Sequence, residues 1–224
     1  MTTSKAIWRP IRPIPDDAPP PPAGHYAYGK PVASHLYRDE TGALMGYVRD
    51  FFRSDGTRKS MPLAWCEDLA VEVAGQARRR EWRYRWFDPL RPLFALDRTF
   101  DNALPVLLLP SEHLANVAAL RLGNEFACVS WAGGLKHIGE TDFAPLKGRE
   151  VIVWLAATNE RYKVGAGDPV AGELKPLIHQ SPFAHLAKLL ELLNGYECKA
   201  HAVLVKPGTE PDGFCVEQAF DRGM

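Results

Sequence analysis

The sequence predicts an α/β protein: a mostly parallel sheet flanked by helices, preceded by a small antiparallel β domain and a proline-rich N-terminal arm. Three patterns carry this. Past position 101, short and nearly continuous apolar runs alternate with helical segments, as in a parallel sheet covered on both faces. Between positions 34 and 100, runs of alternating polarity are punctuated by Asp- and Gly-rich turns, the pattern of an antiparallel meander. Residues 1–33 are dense in proline, which removes backbone donors and favours extended polyproline conformation. The expected divisions are therefore 1–33, 34–100 and 101–224.

The arm, WRPIRPIPDDAPPPPAG, reads in two ways. It is either a free ligand for an SH3-type partner or a strap held on its own domain by Trp8, Ile11 and Ile14. Three strand-like runs follow, Ser34–Arg38, Leu44–Phe52 and Lys59–Trp65, separated by Asp39-Glu40-Thr41-Gly42 and Ser54-Asp55-Gly56. The next run, EWRYRWFDPLRPLFALD, sets Trp82, Tyr84 and Trp86 at period two with Arg83 and Arg85 between them. An extended strand puts such aromatics on one face and the arginines on the other. Stacked bases with phosphate contacts fit this pattern. So does the apolar underside of an edge strand with solvated arginines outside. Just upstream, Arg78, Arg79 and Arg80 form the densest positive charge in the chain.

In the second half, PVLLL, FACVSW, VIVWLAA and CKAHAVLV read as strands. SEHLANVAALRL reads as a helix capped by Ser111, with Leu114, Val117, Ala118 and Leu120–Leu122 along its apolar stripe. SPFAHLAKLLELLNG is an amphipathic helix closed by Gly195, reached through a polar loop from Thr158 to Gln180. Carboxyl ends of strands are where such sheets hold ligands and catalytic groups. Here they carry Pro110, Ser111, Ala156, Ala157 and Thr158, where a metal-dependent enzyme would place acids.

Bulk properties narrow the function. Lys plus Arg and Asp plus Glu each number 27, so no general basic excess marks a protein that coats nucleic acid indiscriminately. The four cysteines, Cys66, Cys128, Cys198 and Cys215, form no C-x-x-C pair. They read as free thiols in a reducing cytosol, with a zinc site shared with histidines as the alternative. No apolar run approaches the ~20 residues of a membrane span, and the expected location is cytoplasmic, with no membrane partner. Neither a P-loop, a G-x-G-x-x-G turn nor H-E-x-x-H is present. Ser111-Glu112-His113 is not a triad, because adjacent residues at a helix start point apart. His113 is either a functional base or a surface residue. Gly133-Gly134 is either a plain turn or a close backbone approach to phosphate.

Segments in a fixed order resemble the Toprim-containing primase module of plasmids and prophages. They are PIPDDAPPPP, YRDETGALMGYVRDF, MPLAWC, WRYRWFDPLRPLFALDR, PVLLLPSEHLANVAA, VSWAGGLKHIGETDFAPLKGREVIVWLAATNE and PDGFCVEQAF. They cover nearly the whole chain, from Trp8 onward. In the family, a glutamate after the first strand serves as general acid or base, and a D-x-D after a later strand holds Mg²⁺. The resemblance sets that glutamate at Pro110, the aspartates at Ala156 and Thr158, and a further acidic position at Cys215. Mg²⁺ demands hard oxygen ligands, and all of these are gone together.

The resemblance thus implies a catalytically inactive Toprim-like protein, with no metal cofactor, that binds nucleic acid in a mobile-element replication or defence setting. The candidate contacts are Arg78, Arg79, Arg80, Arg83, Arg85, Lys136, His137, Arg161 and Lys163, with Gly133 and Gly134 as a phosphate turn. Two alternatives stand beside it. One is a protein–protein adaptor or inhibitory subunit of a replication or defence complex. The other is a residual Mg²⁺-dependent primase or nuclease, with Glu112 replacing the glutamate and Glu160 or Asp168 replacing the D-x-D.

Overall fold

The computed structural model describes residues 6–70, 78–99, 104–163 and 170–223. The chain divides into two compact units, Met1–Asp97 and Arg98–Met224. The first holds five antiparallel strands: β1 (Trp8–Pro10), β2 (Ala33–Arg38), β3 (Leu44–Phe52), β4 (Arg58–Asp68) and β5 (Arg80–Arg83). Strand β4 is the hub. It pairs with β3 through its first half and with β1 and β5 through its second. The proline-rich segment belongs to this unit. Beyond β1, the Ile11 N–H donates to the Trp65 carbonyl at 2.8 Å and the Ile14 N–H to the Leu44 carbonyl at 2.7 Å.

Alternation sorts the sheet into two faces. Tyr47, Arg49 and Phe51 share one face with Leu63, Trp65 and Trp82, as the registers require. Tyr37, Val48 and Asp50 look the other way, where Phe87 and Phe94 stack on Tyr37 at 5.1 and 5.5 Å. The Phe87 ring lies against Gly46, where a methyl group would collide with the ring edge and come 3.1 Å from the Leu63 carbonyl. Gly46→Ala is therefore expected to cost about 1–3 kcal/mol by overpacking, read as a lowered denaturation midpoint; an unchanged midpoint would contradict this packing.

One sequence expectation is corrected here. The strand bearing Trp82 ends at Arg83, so the period-two pattern does not continue to Trp86. Pro89 and Pro92 lie just beyond, and proline cannot donate to a ladder. Arg85 is not turned out to solvent with Arg83; it bonds the Trp8 carbonyl and reaches Asp88 at 2.6 Å.

The second unit contains β6 (Val106–Leu109), α1 (Glu112–Leu122), β7 (Ala127–Ser130), β8 (Glu150–Trp154), α2 (Ser181–Gly195), β9 (Lys199–Val203) and α3 (Val216–Asp221). Its four strands are all parallel, in the order β7-β6-β8-β9. Every residue of β6 and β7 is buried, which is why these runs show no alternation. The chain passes from β6 to β7 through α1 and from β8 to β9 through α2. Ser111 caps α1 as its sequence suggests, accepting the Leu114 N–H at 3.3 Å. The buried seam of α1 is made by Glu112, Ala115 and Ala118, while Leu120, assigned to the apolar stripe from sequence, is 85% exposed. Small residues let the helix lie close to the sheet. In α2 the buried seam is Leu186, Leu189 and Leu193. No described helix is long and apolar enough to cross a membrane.

Candidate functional site at the carboxyl end of the parallel sheet

The chain leaves β6 toward β7 on one side and leaves β8 toward β9 on the other. This reversal makes the carboxyl ends of β6 and β8 the switch point of the sheet, the usual ligand position in open α/β sheets. Strands β6 and β8 are direct neighbours, with Leu108 opposite Val153. Pro110 follows β6, and Ala156, Ala157 and Thr158 follow β8. Pro110 and Ala156–Thr158 therefore stand at adjacent strand tips.

The tip of β8 is closed by internal bonds. The Ala157 N–H donates to the Phe214 carbonyl, and the Gly213 N–H donates back to the Ala157 carbonyl, both at 2.8 Å. Asn159 ties the 208–212 loop: its N–H meets Asp212 at 2.9 Å, and its amide donates to the Glu210 carbonyl at 2.8 Å. Gln180, only 3% exposed, is the centre of the arrangement. Its Oε1 accepts the Thr158 hydroxyl at 3.0 Å and the Glu160 N–H at 2.9 Å, while its Nε2 donates to the Lys175 carbonyl at 2.7 Å. A hollow of about 40 Å³ beside these groups is lined by Ala156, Leu177, Phe183, Leu186 and Val205, with Thr158 and Gln180 bonded to each other.

The residues at these tips do not fit Mg²⁺. Pro110 and Ala156 bring no side-chain oxygen, and the Thr158 hydroxyl is already donated. Glu160, a possible substitute for the D-x-D, accepts the Ser181 N–H at 3.2 Å and pairs with Lys175 at 2.9 Å. Bonds from Ser181 and Lys175 outweigh its desolvation and hold its carboxyl at about 2. It is thereby held against the first N–H of α2. Asp168, the other substitute, lies outside the described residues. Glu112 is buried in the first turn of α1, where the helix dipole favours a carboxylate. His113 Nε2 meets Glu217 at 3.2 Å and links α1 to α3. Cys215 is the N-cap residue of α3, and its backbone N–H and thiol both donate to Gln218 Oε1, at 3.0 and 2.8 Å. Among the described residues, no group of three or more His, Cys, Asp and Glu side chains could hold a metal. All four thiols are free and buried, and burial pushes Cys66 and Cys128 up to about 11.

Of the predicted contacts, Gly133, Gly134, Lys136 and His137 follow β7, and Arg161 and Lys163 follow β8. The topology thus gathers these six at the carboxyl end of one sheet. Gly133 and Gly134 have φ of +91° and +73°, so the turn requires two left-handed residues. Lys136, Arg161 and Lys163 are exposed and have no carboxylate partner among the described residues. His137 pairs with Glu140 at 3.0 Å.

The other five lie in the first unit, where acids accompany most of them. Arg79 and Arg83 both pair with Glu81, Arg78 lies 3.6 Å from Glu67, and Arg85 meets Asp88. Arg79 and Arg83 also cover the Trp8 ring, with guanidinium carbons 5.5 and 4.7 Å from its centroid. Arg80 alone is exposed without such a partner among the described residues. The aromatics between them are occupied too. Trp82 packs at a tilt against Trp65 and Tyr47, Tyr84 edge-on to His25 and Phe51, and Trp86 lies under the Arg91 guanidinium.

Sequence reasoning passes over Gln180, Asn159 and α3. A polar residue before a helix gives no sign of which distant loop it will bond. Glu81 is different: it lies two residues from both Arg79 and Arg83, the same-face spacing of a strand, so its pairing is visible in principle. Against known proteins, no family model, no curated protein and no solved structure matches the chain.

Proposed function

We propose that this chain is a Toprim-like protein without metal chemistry, which binds the backbone of nucleic acid at the carboxyl end of its parallel sheet. The observation that carries the reading is the placement of Lys136, Arg161 and Lys163. None of the three has a carboxylate partner among the described residues, and their loops leave β7 and β8, the strands on either side of β6, at the sheet end where Pro110, Ala156 and Thr158 stand. With no acids at those positions, a phosphate there meets less like charge, and the nearby Glu160 is held by Lys175 and the Ser181 N–H. The glycine turn beside Lys136 allows close backbone approach. The arginines of the first unit are secondary contacts, because Glu67, Glu81 and Asp88 already offset four of the five.

Fluorescence anisotropy with labelled single-stranded and duplex oligonucleotides tests this between 50 and 200 mM salt. Wild type is expected to bind with a steep salt dependence. Replacing Lys136, Arg161 and Lys163 by Gln should weaken binding at least tenfold and remove up to about three counterions from the salt slope. Neutralising Arg78–Arg80 should cost less. Binding indifferent to both sets sinks the proposal, as does Mg²⁺- or Mn²⁺-dependent primer synthesis or nicking that Glu112→Ala abolishes.

A further inference from the structure

Between the exposed cations Arg161 and Lys163 stands an aromatic residue, Tyr162. All three lie outside the segments that resemble the Toprim module, which stop at Glu160 and resume at Pro211. Backbone pairing fixes this stretch. The Tyr162 N–H donates to the Glu173 carbonyl at 2.9 Å, and the Gly172 N–H donates to the Tyr162 carbonyl at 3.0 Å. The Lys175 N–H donates to the Glu160 carbonyl at 2.9 Å, and Arg161 faces Leu174 across the same antiparallel pair. Extended pairing sends successive side chains to opposite sides, so Tyr162 projects away from Arg161.

The Tyr162 ring is anchored at its far end. Its hydroxyl lies 2.7 Å from His179 Nδ1, and the two rings stand at 78° with centroids 6.3 Å apart. A hydrogen bond at an imidazole nitrogen runs in the plane of that ring, so His179 meets the phenol at its edge and covers neither face. Tyr162 is half-buried and His179 exposed, and among the described residues Tyr162 makes no other ring contact. The rings of Trp82, Tyr84 and Trp86 differ, because each already packs on an aromatic or guanidinium partner.

An anchored ring between two cations suits a nucleobase whose flanking phosphates the cations hold. The hollow lined by Leu177 and Gln180, on either side of Ile178 and His179, cannot take the base instead. Its volume of about 40 Å³ is close to the ~30 Å³ that one water occupies in the liquid. We propose, resting on the backbone-binding reading above, that Tyr162 is a base-stacking residue oriented by His179. The ligand is then nucleic acid with an unpaired base beside Arg161 and Lys163. Stacking of this kind tolerates any sequence, because every base has a π-face. A duplex keeps its internal bases stacked on one another, so Tyr162 favours unpaired strands while the cations hold either form.

Anisotropy with a labelled oligothymidylate and an abasic strand of equal length separates stacking from charge, since both carry the same phosphates. Wild type is expected to bind the oligothymidylate about fivefold or more tighter than the abasic strand. Tyr162→Ala should abolish that ratio and leave the abasic affinity and its salt slope unchanged, and Tyr162→Trp should restore it. His179→Ala, which frees the ring, should lower the ratio part way with the abasic affinity again unchanged. On the unaltered chain, the oligothymidylate should move the Tyr162 ring-proton resonances upfield, and the abasic strand should not. A wild-type ratio near unity, or one that Tyr162→Ala leaves intact, overturns the stacking role. The backbone reading then survives only if neutralising Lys136, Arg161 and Lys163 still weakens both strands. Equal loss of both affinities in Tyr162→Ala also overturns it, because Tyr162 would then only hold the loop. A wild type that binds neither strand overturns both proposals.

Discussion

Asp50→Ala is expected to destabilise the first unit by about 3–5 kcal/mol, the cost of breaking a buried charged cluster by removing one member. Asp50 is 3% exposed and joins β2, β3 and β4. His35 Nε2 lies 2.8 Å from its Oδ2, Arg58 Nη2 donates to the same oxygen at 2.5 Å, and the Ser60 hydroxyl donates to Oδ1 at 2.5 Å. Alanine leaves buried His35 facing an empty position, with Arg58 and Ser60 unanswered. Burial alone raises the Asp50 carboxyl, but bonds from His35, Ser60 and Arg58 outweigh it and bring it to about 2. Because the folded value lies below the unfolded one, this stabilisation is complete above about pH 4 and is lost as pH falls toward 2. The linkage amounts to about 2 kcal/mol. Hydrogen exchange of β2–β4 amides and urea denaturation of wild type, Asp50→Ala and Asp50→Asn at pH 7 and pH 3 measure it. Asp50→Asn should flatten the loss between pH 4 and 2. A loss below 1 kcal/mol in Asp50→Ala would remove the cluster from any structural role.

Gln180→Leu is expected to have the next largest effect, about 2–4 kcal/mol, concentrated at the candidate site. Leucine is apolar and one atom shorter, so it fills most of the site but makes none of the polar contacts. Four bonds disappear, to the Thr158 hydroxyl, the Glu160 N–H and the Lys175 and Glu160 carbonyls. Partially buried groups left without partners each cost about 1–3 kcal/mol. Faster amide exchange over 157–163 should accompany a lower denaturation midpoint, while β2–β4 amides stay unchanged. Exchange at 157–163 equal to wild type would show that Gln180 does not hold the strand tip. The variant also bears on binding: if Arg161 and Lys163 are positioned by this network, oligonucleotide affinity falls with it.

Much of the fold is legible before any coordinates. The runs at Leu44–Phe52, VLLL and VIVW carry their strand character in their own residues, and the stripe at Leu186, Leu189 and Leu193 marks α2. The start of α1 is readable from Ser111. Other features are not. Leu120 belongs to the apolar stripe by spacing but faces solvent, because the sheet approaches α1 along its alanines. Trp86 continues a period of two in sequence, yet the strand stops at Arg83.

The strand tips at Pro110 and Ala156–Thr158 follow the same division. Their lack of acids is a property of the sequence, as is the polyproline preference of Pro19–Pro22, since both depend on residue type and on torsions within a few positions. Whether a tip is open or closed, and whether a cation is free or compensated, depends on partners remote along the chain. Thr158 meets Gln180 across 22 positions, and Trp82 meets Pro19 across 63. No window of local periodicity spans such distances. The folded backbone alone brings these donors and acceptors within 3 Å, and it leaves Lys136, Arg161 and Lys163 without a carboxylate partner among the described residues.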